Sequence, residues 1–179
     1  MTLYYISGGP NSGKSSLVKR LFEAAYLVVP ESARYISNTD ERFKGKKIHE
    51  IRSEGLMQDF QNEVFREQNK MLGIVNGLEE NVFCDRGFVD SVVYYRNNRL
   101  EVPKELLALA LKFKSTAFIL ELFDKGEDDS LRTETPEERR EIHEGIIFTY
   151  EEFGYPIIRV PKMTVEERVK FVLEKVKNL

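Results

Sequence analysis

The chain has 179 residues, with 27 Lys and Arg against 30 Asp and Glu, a net charge of −3 and a single cysteine. That length predicts one domain over residues 1–179, large enough to bury its apolar surface without disulfides or a structural metal. The charge balance argues against broad binding to nucleic acid or an anionic membrane, the lone Cys84 excludes an internal disulfide framework and points to a reducing compartment, and no run reaches the roughly 20 apolar residues of a membrane span, so a cytoplasmic protein is expected.

Leu3-Tyr4-Tyr5-Ile6-Ser7 reads as a short buried strand, apolar and β-favouring, ended by glycines. It runs straight into Gly8-Gly9-Pro10-Asn11-Ser12-Gly13-Lys14-Ser15, which predicts that no signal peptide precedes it. The eight residues match G-x-x-x-x-G-K-[ST] at every required position. Ser16 to Ala25 then reads as a helix, with Leu17, Val18, Leu21 and Phe22 on one stripe. Strand, glycine loop and helix are what polyphosphate binding requires. Gly8 and Gly13 permit torsions and a close approach that a side chain would block. The expected nucleotide cradle is Gly8, Gly9, Pro10, Asn11, Ser12, Gly13, Lys14, Ser15 and Ser16, with amides and the helix N-terminus facing the phosphates. Lys14 would bridge the β- and γ-phosphates and the Ser15 hydroxyl would bind Mg²⁺. A chance glycine turn is the bland alternative, and the flanking strand and helix weigh against it.

Tyr26 to Val29 is a second short strand, closed by Pro30. Glu31 and Arg34 follow its carboxyl end, where open α/β sheets bind ligands. They are candidate substrate contacts, or else a helix first-turn acid beside a surface arginine. Asn38 to Lys47, with Arg42, Lys44, Lys46 and Lys47 around Gly45, reads as an exposed loop. His49 to about Asn76 reads as one long helix, its stripe of Ile51, Met57, Phe60, Val64, Phe65, Met71 and Leu72 facing the core. His49 has no partners at metal-ligand spacing.

Val82, Phe83 and Cys84 form a further buried strand with Asp85 at its end. A carboxylate there suits Mg²⁺ beside a phosphate loop; a helix N-cap is the alternative. Arg86 is a candidate for substrate or transferred phosphate, because guanidinium matches phosphate oxygens bidentately. Asp90 and Tyr94 lie four apart on one helical face. Pro103 to Phe113 reads as a helix and Ala117 to Leu122 as the fourth strand. Residues 124–135 are polar and lack apolar periodicity, as a lid does, and a lid over about 124–153 is expected. Thr135 caps the next helix, with Pro136 at its first position. Arg132, Arg139 and Arg140 are the lid cations, Arg132 the best placed, with surface arginines as the alternative. His143 reads as surface or lid packing. Ile157 to Val160 is the fifth strand, and Thr164 to Glu167 is a capping box opening the last helix. The Pro161-Lys162-Met163 turn between them is a place for an adenine.

The order GGPNSGKSS, VVPESARYI, FCDRGFVDSVVYY, an arginine-bearing lid and GYPIIRVPKMTVEERVKFVL resembles the small P-loop ATPase family that includes the nicotinamide riboside kinase domain of NadR, over nearly the whole chain. More distantly, the DRG stretch with Ser91 and Tyr94 is similar to thymidylate and deoxynucleoside kinases. The resemblance implies a three-layer α/β/α P-loop fold with a five-stranded parallel sheet in order 2-3-1-4-5 and a helical lid. By it Glu31 matches the acidic position that serves as general base or substrate ligand, Asp85 the Walker B aspartate and Arg132 the lid arginine. Tyr35 and Phe88 are the candidates for stacking on a nucleoside.

A kinase follows as the leading expectation: ATP and Mg²⁺ as cofactors, Lys14, Glu31, Asp85 and Arg132 as catalytic residues, Ser15 and Asp85 on the metal, and Glu31, Arg34 and Arg86 on a nucleoside- or nucleotide-like acceptor. The alternative is a regulatory ATPase or slow NTP hydrolase acting on a protein partner. The chain lacks an Asn-Lys-x-Asp guanine-reading motif, since Asn69-Lys70-Met71-Leu72 has no Asp. ATP is favoured for that reason.

Overall fold

A computed structural model describes residues 2–123 and 134–179. In chain order its elements are β1 (Thr2–Ser7), α1 (Lys14–Glu23), β2 (Leu27–Val29), α2 (Ser32–Thr39), α3 (Ile48–Ser53), α4 (Met57–Val75), β3 (Asn81–Asp85), α5 (Phe88–Asn97), α6 (Lys104–Lys112), β4 (Thr116–Leu120), α7 (Pro136–Glu152), β5 (Ile157–Val160) and α8 (Val165–Val176). The strands form one parallel sheet in the order β2-β3-β1-β4-β5. This is the expected order.

The apolar runs exist because the sheet is covered on both faces, which removes the need for polar alternation. Tyr5, Cys84, Ala117 and Ile119 point to one face, beneath α4, α5, α6 and α7. Tyr4, Ile6, Phe83, Phe118 and Leu120 point to the other, beneath α1 and α8. Register brings the strand ends level: Ile6 lies opposite Asp85 and Ser7 opposite Ile119. The loop after β1 and the turn after β3 therefore leave the sheet side by side.

Three local expectations need correcting. Phe22 is 65% exposed, so the buried stripe of α1 is Leu17, Val18 and Leu21 alone. The long helix is broken: α3 ends at Ser53, Gly55 takes φ 74, and α4 begins at Met57. A left-handed glycine at that point is a common helix terminator. The basic loop hides a core residue, because Phe43 is fully buried edge-on against Phe60. With Ile36, Ile51, Met57 and Val64 it makes a satellite cluster away from the sheet. Burying one such ring contributes about 1.5–3 kcal/mol, which helps hold a loop whose charges lie mostly at the surface.

Both expected caps at the C-terminal end are present, Thr135 accepting from the Glu138 amide and Thr164 from the Glu167 amide. Of the expected lid, residues 124–133 and with them Arg132 lie outside the described residues. Most of the remainder is α7, whose Ile146 and Tyr150 are fully buried. Among the described residues no helix is long and apolar enough to cross a membrane.

Candidate active site

The loop between β1 and α1 has the shape its glycines allow. Gly13 sits at φ 82 immediately before α1, and Asn11 is also left-handed at φ 58. Lys14, only 3% exposed, folds back so that Nζ donates to Gly9 O at 2.7 Å and to Ser12 Oγ at 3.2 Å. An ammonium resting on one loop carbonyl and one hydroxyl is positioned to turn to anionic oxygens in their place. Ser15 and Ser16 are exposed in the first turn of α1. Gly9 is glycine for a different reason: a Cβ there would lie 2.9 Å from Arg139 O and 2.9 Å from His143 Cβ. The helix α7 thus rests directly on the loop.

The β3 end carries a dense buried network. Arg86 takes φ 76, a strained conformation for a side chain of its size. Its amide donates to Ile6 O at 3.0 Å, which secures the turn against β1. The strained backbone aims the guanidinium across the sheet end. Nε donates to Glu31 Oε1 at 2.9 Å, and Nη1 to Asp90 Oδ1 at 3.1 Å and Gly8 O at 3.4 Å. The ring of Tyr94 lies 5.1 Å away under its charge. Burial works against that charge; Tyr94 and then Glu31, Asp90 and Asp85 overcome it and hold the Arg86 pKa well above the ordinary value. Asp90 is the hub: it also accepts from Ser7 Oγ at 2.6 Å, Tyr150 OH at 2.7 Å and the Gly87 amide at 2.8 Å. Burial, then Asp90, raises the Tyr150 pKa well above the usual phenol, so it stays a donor.

Glu31, 5% exposed, precedes α2 and meets Arg34 on its outer side, Nε to Oε2 3.6 Å. Asp85 is 5% exposed at the β3 terminus. Glu31, Asp85, Arg86 and Asp90 line the inner end of a cavity of about 840 Å³. Its outer walls include Phe60, Gln61, Val64, Gln68, Tyr94 and Ile142. Gln68 is anchored there by the Ser91 hydroxyl at 3.0 Å. The α4 wall packs on the satellite cluster through Phe60 and Val64 and on the main core through Phe65 and Leu72. A smaller cleft of about 270 Å³ lies beside the loop, between Pro10, Leu122, Phe123, Arg139, Arg140 and Lys162.

The comparisons with known proteins match this picture. A model of the AAA domain family matches residues 3–168. The chain belongs to the AAA domain family. A sequence comparison with curated proteins returns no match. Among solved structures it is similar to deoxyadenosine kinase from M. mycoides with bound dATP, at 19% identity and TM-score 0.51 over 98% of this chain and 100% of that one. It is similar to shikimate kinase from Acinetobacter baumannii in complex with shikimate, at 15% identity and TM-score 0.62 over 99% and 94%. Thymidylate kinase from Ehrlichia chaffeensis gives 12% identity and TM-score 0.62 over 98% of both chains. At such identities the likeness is one of fold, and that fold is the P-loop kinase fold.

Within this AAA domain the expected residues divide clearly. Gly8 to Ser16 form the loop, and Glu31, Arg86 and Asp85 converge at one cavity end. Arg34 reaches Glu31 but is 40% exposed at its side chain and lies on the outside. Arg139, Arg140 and Lys162 gather at the smaller cleft. Phe88 cannot stack on a ligand, because it is fully buried between Phe65 and Phe113. Tyr35 does not line the large cavity, whose aromatic residues are Phe60 and Tyr94. Two further residues hold the loop from other elements. His143 Nδ1 accepts from the Gly9 amide at 3.1 Å, so it is neither surface nor simple packing. Arg168, 1% exposed in α8, donates from Nη1 to Ser12 O at 2.6 Å beneath the Phe123 ring. No local pattern marks either, since each acts across more than 130 residues of sequence.

Proposed function

We propose that the chain is an ATP-dependent kinase that transfers the γ-phosphate to a hydroxyl or phosphate of a small nucleoside- or nucleotide-like acceptor. The observation that carries this reading is the cavity. A hydrolase needs room only for a water, whereas about 840 Å³ at the end of β3, linked to the phosphate loop by the Arg86 bond to Gly8 O, suits a molecule of nucleoside size. Its inner end holds a buried carboxylate, Glu31, oriented by Arg86. Glu31 takes the proton of the acceptor hydroxyl, and Arg86 with Lys14 faces the transferred group. Ser15 and Asp85 supply a hydroxyl and a carboxylate, hard oxygen donors of the kind Mg²⁺ selects. The metal would neutralise charge on the phosphates. The smaller cleft, bordered by Phe123 and Lys162, takes the adenine. A riboside acceptor is the narrower form of this proposal and rests on the sequence resemblance.

A screen of nucleosides, nucleotides and ribosides for acceptor-dependent ADP release tests the reading. At least one acceptor is expected to raise ADP release well above the rate with ATP and Mg²⁺ alone. Release indifferent to every acceptor would favour a regulatory hydrolase with a protein partner instead.

Arg168 supports the loop from behind. Its Nε and Nη2 make no hydrogen bond among the described residues, and burial lowers its pKa while Glu121 opposes. A buried guanidinium with idle donors is a poor contributor to stability. Arg168→Met is therefore expected to leave the melting temperature nearly unchanged, the lost Ser12 bond being offset by relief of that burial. Binding of MgADP should weaken by about tenfold, one ordinary charged hydrogen bond's worth. Calorimetric titration beside a thermal melt measures both.

A further inference from the structure

The peptide units around Gly9 show how α7 and the phosphate loop depend on one another. Strand pairing with β4 ends at Ser7, so the buried Gly9 amide needs an acceptor from elsewhere. His143 Nδ1 supplies it at 3.1 Å. The carbonyl of the same glycine receives Lys14 Nζ at 2.7 Å. Gly9 is thus held from both sides, by the loop's own lysine and by a helix that begins 127 residues later. Two turns further along α7, Tyr150 donates to Asp90. One helix consequently touches both halves of the proposed site.

We propose that His143 is a positioning residue for the nucleotide: as a neutral imidazole it takes the Gly9 N–H and fixes the start of the phosphate loop, and so the resting place of Lys14, against α7. This deepens the kinase reading and depends on its nucleotide-binding part. A bond accepted at Nδ1 requires that nitrogen to be unprotonated, which places the ring proton on Nε2. The surroundings favour that form. Burial, then Lys14 from the loop and Arg159 from β5, lower the His143 pKa, with Glu144 on α7 and Glu121 after β4 pulling the other way. Arg139 and Arg140 lie one turn back on α7, and Lys162 faces them across the smaller cleft. As pH falls below the usual imidazole value of about 6.5 through this lowered one, Nδ1 becomes a donor facing a donor and the Gly9 bond is lost.

The test has a structural arm and a binding arm. In the empty wild-type protein the Gly9 amide resonance in ¹⁵N correlation spectra is expected to move as His143 titrates, with a midpoint below about 6.5. In His143→Asn, whose side-chain oxygen replaces Nδ1 without titrating, the Gly9 shift should stay flat. At pH 7.5 His143→Ala should weaken MgADP binding about tenfold and His143→Asn should restore most of it. A Gly9 amide indifferent to His143, an alanine variant that binds as wild type, or an asparagine that fails to rescue would overturn the role of His143 alone. Wild-type protein that binds no MgADP, with Gly9 still titrating, would overturn the nucleotide reading and this role together.

Discussion

Lys14→Ala is expected to lower ATP-dependent turnover by about 10²–10³-fold, with the fold retained. Removing one fixed positive donor from developing phosphoryl charge commonly costs about 10²–10³ in rate, and Lys14 is the one cation inside the loop itself. The structure indicates why the effect falls on function rather than stability. Lys14 Nζ donates to Gly9 O and Ser12 Oγ, both within the same turn of chain. The core beneath, Leu17, Val18 and Leu21 against Ile6 and Phe118, is untouched. Circular dichroism and thermal melting should therefore match the wild type closely while ADP release collapses. Undiminished turnover in this variant would remove the phosphate loop from the mechanism.

Local signals carried the fold and the centre of the site. The loop pattern, the Thr135 cap and the Thr164 capping box depend on neighbours within a few residues, and each is readable as such. The sheet order came from the resemblance, because parallel pairing joins residues far apart and leaves no local trace. Asp85 and Arg86 were visible as a polar pair at the end of an apolar run. Asp90 was noticed only by its helical spacing, although it accepts from Ser7, Arg86, Gly87 and Tyr150. A hub is a property of several elements meeting, and no one of them announces it. The bonds of His143 and Arg168 to the loop leave no local trace for the same reason. Gly55 was legible and passed over: the apolar stripe runs on through it with little change in phase, and a left-handed glycine can end a helix without ending the pattern. Phe43 shows the converse. Charge density marked its loop as surface, and one aromatic residue among those charges is what anchors it.

Glu31→Gln separates catalysis from architecture. The amide keeps the volume of the carboxyl and can still accept from Arg86 Nε through its oxygen. Its nitrogen takes the other position, 3.6 Å from Arg34 Nε, where two donors then face each other. Truncating one partner of a buried ion pair costs about 3–5 kcal/mol, but here Arg86 retains Asp90 at 3.1 Å. The stability loss should stay nearer 1–2 kcal/mol, about one charged hydrogen bond, seen as a modest fall in melting temperature. Proton acceptance is another matter, since a carboxamide has no basic site. Phosphoryl transfer to a hydroxyl acceptor should drop by about 10²–10⁴, the range for a lost general base. MgATP binding should change little, because Glu31 belongs to the cavity end and not to the loop. Single-turnover transfer and equilibrium nucleotide binding, measured on one preparation, give the ratio that matters. Equal losses in both would make Glu31 a support for Arg86 rather than the base.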